Sequence, residues 1–435
     1  MKKITSILLL GICSVFAFAQ VPVPKPAAAQ SESITISQAR LHLGDGKVIE
    51  SGYISFDKGK ITAIGTGAVP ASLKGKLIDG KNKDVYPGFI LPASTLGLRE
   101  IDALRPTLDF AERGEYNSTI RSLVAYNAES ELIPTLKFNG ILLAQIAPLG
   151  GTISGQSSIM QLDAWNWQDA AYLSDEGLWI NWPDLYSRSG WWAEPGDVNK
   201  NEQRNEYLKG LRNFIAESKS YCSKPGREAN LPYQAMCKAL QGKQKVYIRV
   251  AGAKEIIEAV QTMKAEGLNS LVLVGAKESW RVADFLAKEN IPVILSALHD
   301  LPTHDDDAID QVYSIPGILK SKGVKFCLSI EPVRELMGSR NLPFIAGNAV
   351  SYGLSKEDAL SSITLHAAEI LGIDSRTGSL SIGKDANLIL SNGDALDMRS
   401  NQIEKAFIQG RELDLRGKQQ ALYERYLEKM EGAKK

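Results

Sequence analysis

The sequence holds four histidines, His42, His299, His304 and His366. Two of them fall in its densest run of ionisable side chains. The stretch "LHDLPTHDDDAID" gathers His299, Asp300, His304, Asp305, Asp306 and Asp307 in one loop. Imidazole and carboxylate are ligands for divalent ions, and an acidic run suits Ca²⁺. The spacing matches neither an EF-hand nor a helical zinc motif. The same run also reads as a solvated acidic loop that turns at Leu301-Pro302. A second candidate is "GGTISGQSS", residues 150–158, which either offers backbone N–H groups to an anion or forms a tight hairpin. It lacks the lysine of a phosphate-binding loop. No Gly-x-Ser-x-Gly nucleophile elbow occurs. Six of the seven tryptophans lie between Trp165 and Trp192. That segment reads either as an aromatic platform for a carbohydrate or aromatic ligand, or as an insertion packing its own small core.

The elements that must position these groups follow from hydrophobic period. "ITISQARLHLGDGKVIESGYISFDKGKITAIGTG" has short alternating runs broken by Asp-Gly, Ser-Gly and Lys-Gly turns, the pattern of a small antiparallel sheet. From about residue 86 to 372 strand-like runs alternate with helical ones. "KVYIRVAG" precedes "AKEIIEAVQTMKAEG", and "SLVLVG" precedes "AKESWRVADFLAKEN". This is βα grammar, and the span suits a (β/α)8 TIM-like barrel, with a doubly wound sheet as the alternative. After residue 373 "TGSLSIGKDANLILSNGD" and "IEKAFIQGREL" return to strands. The predicted organisation is a signal peptide at 1–19, a linker at 20–33, a composite β-sandwich from 34–85 and 373–415, the barrel at 86–372, and a C-terminal helix and tail at 416–435. His42 falls in the small sheet as a structural residue, and His366 in a helix as a core or cap residue.

The 435 residues carry equal numbers of acidic and basic side chains, which argues against a nucleic-acid partner. Lys2 and Lys3, an apolar run at 4–18 and Ala17-Phe18-Ala19 fit a cleaved export signal. Cys13 raises a lipoprotein alternative, although Ile12 stands where a small residue is expected. The apolar run is too short for a membrane span, so the expected location is periplasmic or extracellular. In such an oxidising compartment Cys222 and Cys237 are either a disulfide or two buried thiols. Cys327, in "KFCLSI", reads as core.

Two stretches carry a family resemblance. "DVYPGFILPASTLG" is similar to the Pro-Gly-(hydrophobic)2-Asp-x-His-x-His-x-Gly of the amidohydrolase superfamily. "SSITLHAAEILGIDSRTGSLSIGKDANLILSNGDALD" resembles its C-terminal signature. The nearest branches are the imidazolonepropionase-like and prolidase-like metal-dependent hydrolases. The resemblance implies a barrel that holds zinc or another divalent metal at the C-terminal ends of its strands and hydrolyses non-peptide C–N bonds or dipeptide-like substrates. Its ligands would be His-x-His after strand 1, a histidine after each of strands 5 and 6, and an aspartate after strand 8. Carried over singly, these positions fall on Ala93, Thr95, Arg249, Gly275 and Glu331. No histidine lies between residues 43 and 298. The expectation is therefore that no metal cofactor is bound. Arg249 and Glu331 would then form an ion pair at the former metal position, or face apart.

Two kinds of function follow. One is a catalytically degenerate relative that binds a small-molecule ligand or pairs with a metal-bearing amidohydrolase. The other is a working hydrolase with an atypical site, using Glu331 as general base and the His299–Asp307 loop as support.

Overall fold

The computed structural model describes residues 25–191, 193–224, 228–296, 298–330 and 335–432. The predicted export signal and Glu331 both lie outside these residues. None of the described helices is long and apolar enough to cross a membrane.

The Gly-punctuated N-terminal runs form β1 (Ile34–His42), β2 (Val48–Asp57), β3 (Lys60–Thr66), β4 (Lys76–Asp79) and β5 (Asp84–Pro87). The second apolar stretch enters the barrel through β6 (Phe89–Ser94), β7 (Ile141–Ile146), β8 (Ile153–Gln161) and β9 (Ala171–Asn181). An exposed hairpin of β10 (Tyr186–Trp191) and β11 (Glu194–Lys200) follows, with helices α1 (Arg204–Cys222) and α2 (Leu231–Leu240). Strictly alternating βα units then supply β12 (Lys245–Val250), α3 (Ala253–Ala265), β13 (Leu271–Gly275), α4 (Ala283–Glu289), β14 (Val293–Leu295), α5 (Gln311–Ser321) and β15 (Phe326–Leu328). Helices α6 (Leu342–Val350), α7 (Lys356–Ser362) and α8 (Leu365–Leu371) lead back to the small sheet through β16 (Leu388–Ser391), β17 (Ile403–Ile408) and β18 (Arg411–Glu412). Helix α9 (Lys418–Gly432) ends the described chain.

The small sheet runs β18-β17-β16-β5-β1-β2-β3, with β4 paired to β1 beside β5. It is one hydrogen-bonded sheet that branches at β1: Ile34–Ser37 pair with β4, and Arg40 and Leu41 with β5. Strand β16, from the C-terminal end, pairs antiparallel with β5, from the N-terminal end.

The barrel sheet runs in chain order, β6-β7-β8-β9-β12-β13-β14-β15, which excludes the doubly wound alternative. Between its first and last strands, the Ser329 hydroxyl donates to the Pro92 carbonyl at 2.6 Å, so the sheet is nearly closed. Alternate residues separate its two faces. Tyr247, Val272, Val274, Ile294 and Cys327 share one cluster with Ile90, Leu143, Ile159 and Trp179, the interior of the barrel. Val246, Ile248, Leu271, Leu273, Val293 and Leu295 belong to the outer core under the helices.

The eightfold βα repeat breaks at one place. Strand β8 is antiparallel to both β7 and β9. A parallel crossover needs a dozen or more residues, and only 147–152 connect β7 to β8. Gly150 and Gly151, at φ +83° and +61°, make the turn. "GGTISGQSS" is thus a hairpin turn and the strand leaving it. The tryptophan-rich segment is likewise no single unit. Trp179 and Trp182 are buried, while Trp165 and Trp191 are exposed. Cys222 and Cys237 form a disulfide with Cα atoms 5.6 Å apart, joining α1 to α2. Cys327 is a buried free thiol.

Candidate functional site at the barrel mouth

At the C-terminal ends of the strands the backbone adopts conformations that cost energy. Ala93, closing β6, has φ +54°, and Gly275-Ala276, closing β13, have φ +85° and +42°. Non-glycine residues in the left-handed region cluster at functional positions. Both places are among those the resemblance assigns to metal ligands. Ala93 is buried, and its N–H donates to Gln145 Oε1 at 3.0 Å. Thr95 is buried beside it.

Arg249 occupies the mouth. The period of two puts Lys245, Tyr247 and Arg249 of β12 on the inner face. The Arg249 guanidinium carbon lies 4.2 Å from the centroid of the Trp179 ring. Its Nη1 donates to Asn181 Oδ1 at 3.1 Å and its Nη2 to the Pro148 carbonyl at 2.9 Å. Trp179 stacks on Tyr247, with centroids 4.8 Å apart and planes inclined by 12°.

Below this stack is a carboxylate that the sequence does not advertise. Glu176 accepts from Gln145 Nε2 at 2.6 Å, from the Tyr247 hydroxyl at 2.8 Å, and from the Ser157 hydroxyl. Burial pushes its pKa up, while the three donors hold it down; the net direction is upward. Lys245 donates to the carbonyls of Glu369 (3.1 Å) and Ile370 at the end of α8, and burial pushes its pKa down. Gly177 is needed here because a Cβ would stand 2.1 Å from the Tyr247 ring.

The described residues at the positions assigned to metal ligands are poor ligands. Ala93 and Gly275 bring no donor side chain, and a guanidinium is a cation with donors only. Among the described residues no group of three or more His, Cys, Asp or Glu is placed to hold a metal.

The His299–Asp307 loop divides in two. His299 and Asp300 line a cavity of about 730 Å³ beyond β14 and β15, with Ser296, Ile330, Phe344 and Asn348. Burial lowers the His299 pKa. His304 and Asp305 are exposed on the loop. His304 Nε2 lies 2.6 Å from Glu278 Oε1, and Asp307 pairs with Arg281. Asp300 pairs with Lys277 at 2.9 Å. These contacts brace the loop. The residues that sequence reasoning missed are Glu176, Gln145 and Tyr247; Trp179 falls in the tryptophan-rich segment it singled out. For Tyr247 the signal was "KVYIRV", in which every inward position of a barrel strand is polar or aromatic.

Of the two remaining histidines, His42 is buried and stacks on Tyr86 with centroids 4.4 Å apart. Its Nδ1 lies 2.7 Å from Glu357 Oε1 on α7, so it ties the small sheet to the barrel helices. His366 on α8 meets Phe326 edge-on at 6.4 Å.

The amidohydrolase family's sequence model matches residues 233–413. No curated protein matches the sequence significantly. Solved structures share the fold. An amidohydrolase from Thermotoga maritima MSB8 superposes with a TM-score of 0.76 at 21% identity, covering 88% of this chain and 100% of that one. A Xaa-Pro dipeptidase with bound methionine gives 0.56 at 13% identity, over 88% and 100%. An adenosine deaminase from Xanthomonas campestris with bound zinc gives 0.53 at 13%, over 89% and 93%. The C-terminal part of the chain thus matches the amidohydrolase family's model, and the whole carries the barrel-plus-sheet fold that these structures share.

Proposed function

We propose that this is an exported member of the superfamily that has given up metal-dependent hydrolysis and binds a small molecule instead. The observation that carries the reading is the Arg249 guanidinium over Trp179, at a position where the resemblance calls for a metal-binding imidazole. A fixed positive charge there opposes a divalent cation. The cavity beside His299 and Asp300 supplies the binding volume, within the range usual for small ligands. Its lining mixes Phe344 and Ile330 with Asn341, Asn348 and Ser296, which suits an amide or dipeptide-like molecule with one apolar end. Pairing with a metal-bearing relative belongs to the same reading. Export is supported by the pattern of residues 1–19 and by the Cys222–Cys237 disulfide, a bond that persists in oxidising compartments.

The test is metal content of the purified mature chain, together with turnover of Xaa-Pro dipeptides and N-acyl amino acids with added Zn²⁺ or Mn²⁺. The expected result is no stoichiometric metal, no turnover, and a thermal shift with at least one of these compounds. A stoichiometric metal with turnover overturns the reading. A second reading is favoured by His299 on the cavity wall: metal-free hydrolysis with Glu331 as general base. In that case turnover occurs without metal and Glu331→Gln abolishes it.

A further inference from the structure

Helix α9 (Lys418–Gly432) has no buried residue. Its apolar side chains are nonetheless ordered along one face. At about 100° per residue, Leu422, Tyr423, Tyr426, Leu427 and Met430 fall within an arc of about 140°. Tyr423 is 67% exposed, Tyr426 57% and Met430 63%. An isolated helix of this length is marginal in water unless its apolar face is covered. Nothing in the described part of the chain covers it.

The charges say what does. On the same wheel Lys418, Arg425 and Lys429 lie beyond one edge of the apolar face, and Glu424 and Glu431 beyond the other. Two such helices can pair face to face in two ways. Antiparallel pairing about a twofold axis sets each edge against its own kind, base on base and acid on acid. Parallel pairing sets the basic edge of each helix against the acidic edge of the other along both seams. Opposite charges flanking an apolar seam are what fixes orientation in paired helices.

We propose that α9 is the dimerisation element of this protein, pairing parallel and in register with α9 of a second copy. Tyr423, Tyr426 and Met430 form the seam, and Arg425 and Lys429 face the Glu424 and Glu431 side of the other copy. A helix pair of this size buries less than about 1,000 Å², so the dimer is of the weak, reversible kind.

Sedimentation velocity of the full mature chain, from about 1 to 100 µM, tests this. The expected result is a reversible dimer whose dissociation constant rises at least about tenfold with Tyr426→Glu. The thermal midpoint should stay unchanged, because the helix buries nothing in the monomer. Arg425→Glu with Lys429→Glu should weaken the dimer. Mixing that chain with one carrying Glu424→Lys and Glu431→Lys should restore it. The Met430→Cys chain should form an interchain disulfide on mild oxidation, since parallel pairing brings each residue 430 to its own counterpart. A chain that stays monomeric throughout overturns the proposal. So does a dimer indifferent to Tyr426→Glu, or one in which the Met430→Cys chain does not cross-link.

Discussion

The Arg249 guanidinium lies 4.2 Å from the Trp179 ring, and the same indole stacks on Tyr247. A cation over an indole is worth about 0.5–2 kcal/mol, more as it is desolvated. Hydrogen bonds to Asn181 and the Pro148 carbonyl fix the plane of the fork. Arg249→Ala should therefore lower unfolding stability by about 1–3 kcal/mol. Arg249→Lys should recover only part of this, because an ammonium has neither the plane nor the fork. Urea denaturation of the three chains checks it. Equal midpoints would mean that the guanidinium is not held in this place.

Glu176 should matter more to stability than any surface acid. Removing it by Glu176→Ala leaves the Gln145 amide and the Tyr247 and Ser157 hydroxyls without their shared acceptor. Stranded buried donors cost about 1–3 kcal/mol each in the worst case. The variant should unfold at a markedly lower denaturant concentration, and Tyr247→Phe should fall between it and the parent. If Glu176→Ala unfolds with the parent, the network contributes nothing.

His42 gives the stability a pH dependence of known sign. Burial pushes its pKa down, but Asp84 and Glu357 more than offset this and leave it raised above 6.5. The folded chain thus holds the proton more tightly than the unfolded one. The resulting stabilisation is complete below about pH 6.5 and is lost as pH rises through the folded value. His42→Phe should flatten the stability profile in that window. A profile unchanged by the substitution would show that His42 titrates as it does unfolded.

The Cys222–Cys237 bridge closes a loop of 15 residues between α1 and α2. Such a loop is worth about 3 kcal/mol in the unfolded-chain account. Reduction, or the Cys222→Ser, Cys237→Ser double variant, should lower stability by about that amount. The reduced parent and the variant should then unfold together. A variant as stable as the oxidised parent would place the bridge outside the stability of the fold.

The fold was legible where period and length agree. "KVYIRV", "LVLVG" and "VIL" are short and rich in β-branched residues, the first two lead into helical runs, and all three form neighbouring parallel strands. The reversed β8 was not legible, because "ISGQSSIMQ" carries no mark of direction. Direction is set by the shortness of residues 147–152. Arg249 could be placed from its register at the end of β12. Glu176 could not, because "SDEG" has the composition of a surface turn. It is buried through irregular register between β8 and β9, and because Gly177 has no side chain to hold Tyr247 away. The His299–Asp307 run looked like one cluster because neighbours in sequence suggest neighbours in space. In the structure its loop turns, and only His299 and Asp300 line the cavity.

The pairing of β5 with β16 has a consequence for how the chain comes to be folded. Residues 84–87 find their partners at 388–391. Until that late segment has been synthesised, β5 has an open edge on that side and the small sheet cannot close. Contacts so distant in sequence fold slowly. The small sheet therefore stays unfinished until residues 388–391 are available to it, some three hundred residues after β5.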